Sequence, residues 1–230
     1  MRFLSVSVWA LAILVSVSNS ALAADSEKPL TTTSTTAPNA GFYVGPKFFL
    51  MKDQPYAGLF AQSGFDVPSK NRVGLDFGFY AVAPTGWRFG FDFSFFGLNE
   101  STGSPDATFQ QFYFGALFGK NLISNSPWEL FLGSSFGLGS ALVEVLSPTV
   151  NGRLTESSFY IEPSLLVAHP ISNNVKLGFQ FSYVYPMNIS SEAKGQSLGM
   201  GHISAQGWTG TLQFILGTWG KCQGACGTWD

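Results

Sequence analysis

Residues 72–97, RVGLDFGFYAVAPTGWRFGFDFSFFG, contain the pattern that decides the fold. On both sides of a Pro84-Thr85-Gly86 turn, large apolar residues occupy every second position. They are Val73, Leu75, Phe77 and Phe79 before the turn, and Phe89, Phe91, Phe93 and Phe95 after it. Small or charged residues, including Asp76 and Asp92, occupy the positions between them. A period of two predicts two strands, each with one apolar and one polar face, joined by a tight turn.

The same alternation recurs along the chain and predicts eight strands. We place them at residues 41–51, 72–83, 87–97, 108–120, 128–143, 158–169, 175–185 and 205–219. These strands are longer than the ~5–6 residues usual in soluble proteins. A tilted strand needs about 9–11 residues to cross a bilayer, so the predicted lengths suit a membrane-spanning strand.

The connections between these strands alternate in length. Short connections are predicted at residues 84–86, 121–127 and 170–174, and longer ones at 52–71, 98–107, 146–157 and 186–204. Tight turns on one side and extended loops on the other are typical of up-and-down barrels of the bacterial outer membrane. With this count both termini lie on the periplasmic side, beside the short turns.

The composition also favours a barrel in lipid. Charged residues make up 11% of the chain and aromatic residues 16%, with 23 Phe and 26 Gly, whereas soluble domains contain about 25% charged residues. Only a closed barrel lets strands cross hydrocarbon without unpaired backbone groups. We therefore predict an all-β fold, an eight-stranded antiparallel up-and-down transmembrane β-barrel with its apolar face toward lipid. A soluble sandwich or lipocalin-like barrel would place the apolar face inward, and the low charge count argues against it.

The N-terminal residues predict export. Residues 1–23 have a basic start at Arg2, an apolar run and an Ala21-Leu22-Ala23 cleavage site, the pattern of a signal peptide. The alternative is a single membrane-anchor helix. We predict that residues 24–40 are a flexible Thr/Ser/Pro-rich periplasmic lead-in, that residues 41–219 form the barrel, and that residues 220–230 are a periplasmic tail. In this tail Cys222 and Cys226 could close a disulfide or remain free thiols.

The strand positions that are predicted to face inward carry equal numbers of positive and negative side chains. The cations are Lys47, Arg72, Arg88 and Lys176, and the anions are Asp76, Asp92, Glu129 and Glu162. An eight-stranded barrel is narrow enough for side chains to fill it, and charges held away from water need partners. We predict a lumen ion-pair network that plugs the barrel. A polar solute path or a catalytic carboxylate pair, Asp76 with Asp92, is the alternative.

Few residues suggest chemistry. His202 and Ser204 form a His-x-Ser pair that resembles the active site of outer-membrane lipid A deacylases, in which a Glu orients the His. No Glu follows Ser204, and Glu192 precedes the pair, so we expect a loop histidine instead. We expect no catalytic residues, no cofactor and no metal site. The 12 Lys and Arg are scattered and predict no nucleic-acid surface.

The pattern as a whole resembles the small eight-stranded outer-membrane barrels, such as outer membrane protein X and the transmembrane domain of outer membrane protein A. The strand-end aromatics Trp87, Trp128, Tyr185, Trp208 and Trp219 fit an interfacial belt. Eleven residues follow Trp219, whereas these barrels usually end on an aromatic residue. We predict a structural or surface-interaction protein of the outer membrane, in contact with lipid or lipopolysaccharide and meeting a partner through four extracellular loops, with a monomer favoured. A small pore and a lipid-A-modifying enzyme are the alternative functions.

Overall fold

The computed structural model describes residues 39–52, 54, 56–62, 71–101, 106–123, 127–147, 151–195 and 202–218. Eight strands and one short helix, α1 (Ala57–Gln62), lie in these ranges. The strands are β1 (Asn39–Met51), β2 (Asn71–Val82), β3 (Trp87–Ser101), β4 (Asp106–Asn121), β5 (Glu129–Leu146), β6 (Asn151–Ser172), β7 (Val175–Gly195) and β8 (Gly207–Thr218). The predicted signal peptide, the cysteine pair and Trp219 lie outside the described residues.

The strands form one closed antiparallel barrel in chain order, β1 to β8. The ring closes between β1 and β8, from Ala40 opposite Thr218 to Met51 opposite Gly207. Because the ring is closed, no strand edge is left unpaired over the height that all eight strands share. A sheet must meet this condition to cross the hydrocarbon of a membrane. The predicted fold class is confirmed.

The alternating residues face as predicted. In β3, Phe91 and Phe95 are 42% and 44% exposed on the outer surface, while Asp92 and Ser94 are 1% exposed inside. The outer wall continues this way through exposed Phe, Leu and Trp side chains on all eight strands. An apolar exterior around a polar interior is the arrangement of a barrel whose wall meets lipid. No helix in the described part of the chain is long and apolar enough to span a membrane.

The two ends of the barrel differ. At one, here called the turn end, short turns join β2 to β3, β4 to β5 and β6 to β7, and β1 begins and β8 ends. The first of these turns needs its glycine, because Gly86 has a φ of +83° and its N–H bonds the carbonyl of Ala83 at 2.8 Å. The opposite end, the far end, carries the other connections and α1.

The predicted alternation of short and long connections is wrong for two of the four connections at the far end. β3 runs to Ser101 with β4 beginning at Asp106, and β5 runs to Leu146 with β6 beginning at Asn151. β7 continues to Gly195, through half of its predicted loop. Apolar residues no longer occupy every second outward position in these segments, yet neighbouring strands remain paired. Backbone hydrogen bonds between strands do not require an apolar outer face where the strands are no longer in contact with lipid. At the turn end β1 begins at Asn39, inside the predicted lead-in.

These longer strands form an extension of the wall, consisting of residues 97–101, 106–110, 142–146, 151–157 and 185–195. Beyond Phe96, β3 pairs with β4 alone, and beyond Val184, β7 pairs with β6 alone in the described residues. On β4, β5 and β6 the inner face of the extension is largely apolar and buried, with Phe109, Val143, Val145 and Leu154 at most 5% exposed, whereas residues 187–195 of β7 are exposed throughout. The outer face is open, and Ile189 on β7 is 61% exposed.

Candidate functional site

The middle of the lumen holds a buried ionic layer centred on Lys47. Its Nζ lies 2.7 Å from Glu162 Oε1 and 3.5 Å from Asp76 Oδ1, and all three side chains are 0% exposed. Lys47 also donates a hydrogen bond of 2.8 Å to Ser94 Oγ. The hydroxyl of Ser94 in turn donates to Asp76 Oδ1 at 2.6 Å. These contacts join β1, β2, β3 and β6 across the inside of the barrel.

The remaining carboxylate contacts in this layer come from hydroxyl groups. Tyr43 donates a 2.6 Å hydrogen bond to Asp92 Oδ1, and Ser182 donates one of the same length to Glu162 Oε1. Thr209 contributes a further bond of 3.3 Å to that Glu162 oxygen. Hydrogen bonds from hydroxyls stabilise ionised carboxylates where water is excluded.

Toward the turn end, an aromatic layer lies below the ionic layer. The guanidinium carbon of Arg88 lies 3.8 Å from the centre of the Tyr80 ring and 5.4 Å from that of Phe131. Leu117, Leu166 and Ile215 fill the space around these rings and are at most 4% exposed. A guanidinium over an aromatic face is a favourable cation–π arrangement, and more so when water is excluded.

A second ion pair closes the lumen at this end. Lys176 Nζ lies 2.6 Å from Glu129 Oε1, with the two side chains 6% and 19% exposed. The pair links β7 to β5, next to the aromatic layer. It is nearer to solvent than the pairs of Lys47, so its free-energy contribution is smaller.

At the far end, part of the first connection folds into the barrel mouth. Tyr56, which precedes α1, and Phe60, which lies within it, are both 0% exposed. The Tyr56 ring lies 4.5 Å from that of Phe109 and 5.4 Å from that of Phe60, and Phe49 and Phe96 pack at 5.0 Å beside them. The structure therefore places Phe60 inside the barrel mouth.

Arg72 belongs to this far-end layer. Its guanidinium donates to the Tyr56 hydroxyl at 3.4 Å and to the Asn71 carbonyl at 3.0 Å. The Tyr56 hydroxyl donates onward to Met51 Sδ at 3.2 Å. Burial raises the pKa of Tyr56 above its ordinary value, against the lowering effect of the Arg72 charge.

A second segment, residues 202–206, also folds inward over the mouth. Glu156 on β6 is 1% exposed, and its carboxylate accepts hydrogen bonds from the backbone N–H of Ile203 at 2.6 Å and of Ser204 at 3.4 Å. The amide of Gln111 bonds both the N–H and the carbonyl of Ala205, each at 3.2 Å. The segment is therefore held like an extra strand inside the barrel.

Sequence reasoning missed these two polar anchors. The predicted strand begins only at Ser158, which leaves Glu156 in a connection, and Gln111 is one of many inward polar residues. The available signal was that Glu156 keeps the inward parity of Ser158, Tyr160 and Glu162 on the same strand, two residues apart. Extending β6 by that parity would have placed its carboxylate in the barrel mouth.

The eight predicted lumen residues all point inward, but they do not meet in one cluster. Lys47, Asp76 and Glu162 are in direct contact, and Lys176 with Glu129 form a separate pair. Asp92 bonds a tyrosine hydroxyl, whereas in the described residues Arg72 and Arg88 form no salt bridge. The role of these groups as a plug stays a prediction.

The residues of the lipid A deacylase resemblance are not brought together. His202 is exposed, whereas Ser204 is 5% exposed and its hydroxyl has no hydrogen-bond partner among the described residues. Glu192 is paired with Lys194 at 3.3 Å on the outside of the extension. The described residues contain no group of three His, Cys, Asp or Glu arranged to hold a metal ion.

Comparison with solved structures agrees with this architecture. The barrel is similar to Ail, the attachment invasion locus protein of Yersinia pestis, solved in complex with the heparin analogue sucrose octasulfate. The TM-score is 0.50 at 12% identity, and the match covers 78% of this chain and 97% of Ail. The fold is that of the small outer-membrane β-barrels.

Two further small barrels match this fold more loosely. Neisserial surface protein A matches with a TM-score of 0.46 and 15% identity, over 79% of this chain and 95% of its own. A major outer membrane protein of Thermus thermophilus matches with a TM-score of 0.48 and 10% identity, over 79% and 98%. No protein-family model and no curated protein matches the chain.

Proposed function

We propose that this protein is an exported outer-membrane barrel that acts as a surface-interaction protein, with a plugged lumen and with its far end outside the cell. The observation that carries the proposal is the extension, in which five strands continue beyond the ends of β1 and β8 and present an open outer face. Ail, whose fold is similar, was solved with a sulfated sugar ligand. In this chain the face available for a partner is that of the extension.

The packing of the lumen argues against the pore alternative. Apolar side chains fill the barrel above the ionic layer, including Phe49, Phe60 and Phe109, each at most 1% exposed. Below the ionic layer the Tyr80 and Phe131 rings close around Arg88. An ion crossing this lumen would have to pass two apolar layers, which costs far more than passage through an aqueous channel.

The enzyme alternative has little support in the geometry. A His–Ser catalytic pair needs the two side chains within hydrogen-bond reach. Here the buried Ser204 hydroxyl makes no hydrogen bond to His202 in the described residues. Glu156 bonds the backbone of this segment and so positions the chain instead of orienting an imidazole.

Three measurements test the proposal. The full chain, expressed in a Gram-negative host, should fractionate with the outer membrane and show heat-modifiable gel migration. Ile189→Cys on the extension should react with a membrane-impermeant maleimide on intact cells, and Ile171→Cys should not. Ile171 is a matched control because it is 63% exposed, against 61% for Ile189, but lies at the turn end. Labelling of residue 171 alone would reverse the orientation and refute the proposal.

Interaction is tested by attachment of cells to surfaces coated with a sulfated polysaccharide. Cells carrying the protein should attach more than cells without it, and Ile189→Ser should reduce attachment while Ile171→Ser does not. In planar bilayers the purified protein should give no steady single-channel current. A steady current would favour the pore.

A further inference from the structure

Residues 202–206, here called the mouth segment, are held by the barrel through their backbone. The N–H groups of Ile203 and Ser204 donate to the Glu156 carboxylate, at 2.6 and 3.4 Å. Glu156 lies on β6 and is 1% exposed. A buried carboxylate that accepts two successive backbone N–H groups binds a peptide chain independently of the side chains which that chain carries.

A second position in the mouth holds the next residue by both of its backbone groups. The Ala205 N–H donates to the amide oxygen of Gln111, and the Gln111 amide nitrogen donates to the Ala205 carbonyl, both at 3.2 Å. The Tyr113 hydroxyl donates to the same carbonyl at 3.1 Å. Beyond it, the Lys52 N–H donates to the Gln206 carbonyl at 2.8 Å. An amide side chain that pairs with both backbone groups of one residue does what a neighbouring strand does when a peptide strand is added to a sheet.

Three consecutive side chains of the mouth segment are buried. Ile203 and Ala205 are 0% and 1% exposed and belong to the apolar cluster of the mouth. Ser204 between them is 5% exposed, whereas His202 before them is exposed and Gln206 after them is half-buried. The mouth therefore takes one aliphatic and two small side chains in a row and leaves both ends of the segment nearer to solvent.

The chain's own segment fits this place imperfectly. The buried Ser204 hydroxyl has no hydrogen-bond partner among the described residues. Burying a hydroxyl without a partner costs free energy that an alanine at the same position would not cost. A peptide with alanine at this position should therefore bind the mouth more tightly than the segment that occupies it.

The mouth segment is also separate from the barrel wall. The pairing of β8 with β1 and with β7 begins at Gly207, the residue that follows the segment. The segment can therefore leave the mouth while every strand pair of the wall stays in place. Its departure would leave Glu156 and Gln111 without their backbone partners, and the backbone of another peptide can supply the same groups.

We propose that the mouth of the barrel at the far end binds an extended peptide segment of a partner protein, and that the mouth segment occupies this site as an internal substitute for that peptide. The site is a second place for a partner, besides the outer face of the extension. The inference rests on the proposed function only for the source of the peptide, which is outside the cell if the far end faces outward.

The contacts define the chemistry of the peptide. Glu156 and Gln111 pair with groups that every peptide backbone carries, so selection comes from the three buried side-chain positions. The peptide has an aliphatic side chain at the position of Ile203 and small, uncharged side chains at the next two positions. An acidic side chain is rejected, because it would be buried without a cation in a mouth that already holds the Glu156 carboxylate.

The first test is displacement in the unaltered protein. The purified full chain in lipid nanodiscs is mixed with a hexapeptide of sequence HISAQG, the sequence of residues 202–207, with both ends blocked. A tethered segment competes at an effective concentration on the order of millimolar, so about 5 mM free peptide should displace it in most molecules. Amide hydrogen exchange of residues 202–206, followed by mass spectrometry, should then become at least about tenfold faster.

Two altered peptides make this test specific. The peptide with Ser204→Ala should act at about fivefold lower concentration, because it buries no unpartnered hydroxyl. The peptide with Ile203→Asp should have no effect. Unchanged exchange with both the native and the alanine peptide would overturn the proposal, and so would an equal effect of the aspartate peptide.

The second test measures binding directly. In the full chain, Ile203→Asp should expel the mouth segment, so a fluorescent HISAQG peptide should bind this variant at least about tenfold more tightly than the unaltered protein. Adding Glu156→Ala should weaken that binding at least about tenfold. Glu192→Ala is the control and should leave it unchanged, because Glu192 is 69% exposed on the extension. Heat-modifiable migration checks that the variants fold, and the displacement test needs no variant.

Three outcomes of the second test would contradict the site. Equal binding to the unaltered protein and to Ile203→Asp would place the peptide elsewhere. Binding that is insensitive to Glu156→Ala would exclude the backbone contacts described above. A concentration-dependent dimer of the unaltered protein that the free peptide disperses would replace the foreign partner with a second copy of this chain.

Failure of this site is distinguishable from failure of the proposed function. Outer-membrane fractionation and labelling of Ile189→Cys do not depend on the mouth segment. If those results hold while the peptides neither bind nor displace residues 202–206, only the peptide site is wrong. If the peptides bind but Ile171→Cys is labelled instead of Ile189→Cys, the site stands and the orientation of the barrel is wrong.

Discussion

Lys47 and Glu162 form an ion pair of 2.7 Å in the middle of the barrel, with both side chains fully buried. The two residues lie on β1 and β6, which are not neighbours in the wall, so the pair spans the lumen. Asp76 shares the same ammonium from β2 at 3.5 Å. One cation therefore serves two carboxylates in direct contact, and loss of the cation leaves more unpaired buried charge than loss of one anion.

This asymmetry predicts a ranking of stabilities. Lys47→Met should lower the free energy of unfolding by about 3–5 kcal/mol, because removing one partner leaves uncompensated buried charge. Glu162→Gln should cost less, since Lys47 remains paired with Asp76. Urea unfolding in lipid vesicles, followed by tryptophan fluorescence, measures both. Lys194→Gln is the control, because its pair with Glu192 is about 70% exposed and such surface changes stay within about 0.5 kcal/mol. A larger loss in Glu162→Gln than in Lys47→Met would contradict the arrangement.

The orientation of the strands gives a second prediction. In a background with Cys222 and Cys226 replaced by Ser, Phe95→Cys should react with a membrane-soluble maleimide, and Ser94→Cys should not. The two positions are adjacent on β3 but are 44% and 1% exposed, so only the first faces lipid. Labelling of residue 94 and protection of residue 95 would show that the barrel is inside out.

Close backbone contact at Gly45 gives a third prediction. A Cβ at this position would lie 1.6 Å from the carbonyl oxygen of Leu212 on β8, and this backbone atom cannot turn aside as the end of a flexible side chain could. Gly45→Ala should destabilise the barrel by about 1–3 kcal/mol, the usual cost of overpacking. Gly58→Ala in α1 is the control, since nothing lies within 4 Å of its Cβ, and it should be neutral or stabilising by up to about 1 kcal/mol. Equal effects of the two variants in urea unfolding would refute the close approach.

The Glu156 anchor gives a fourth prediction. Glu156→Ala removes the acceptor of the Ile203 and Ser204 N–H groups, so residues 202–206 should exchange their amide hydrogens at least about tenfold faster. Hydrogen exchange followed by mass spectrometry would detect the change in the peptide that covers this segment. Glu192→Ala should leave exchange there unchanged, because Glu192 lies 69% exposed on the extension. Unaltered exchange in Glu156→Ala would mean that other contacts hold the segment.

The sequence by itself determined the wall of this barrel. Each strand repeats the alternation of residues 72–97, and such a local pattern needs no knowledge of distant contacts to assign a face. Closure of the sheet could also be predicted, because hydrocarbon cannot hydrogen-bond the backbone groups of an unpaired strand edge. The pattern failed at residues 97–101 and 151–157, because a strand that has left the lipid no longer needs apolar residues on one side.

The tertiary structure alone decided what the lumen contains. The alternation along each strand predicted that all eight charged side chains face inward. It could not predict that Lys47 contacts Glu162 or that Arg88 contacts Tyr80, because such contacts depend on the height of each residue in the wall, which strand register sets. The sequence also did not predict that Tyr56, Phe60 and residues 202–206 fold inward, because apolar and polar residues do not alternate in these segments. Their positions follow from apolar contacts and from Glu156 and Gln111, residues distant in the sequence that become neighbours only when the ring closes.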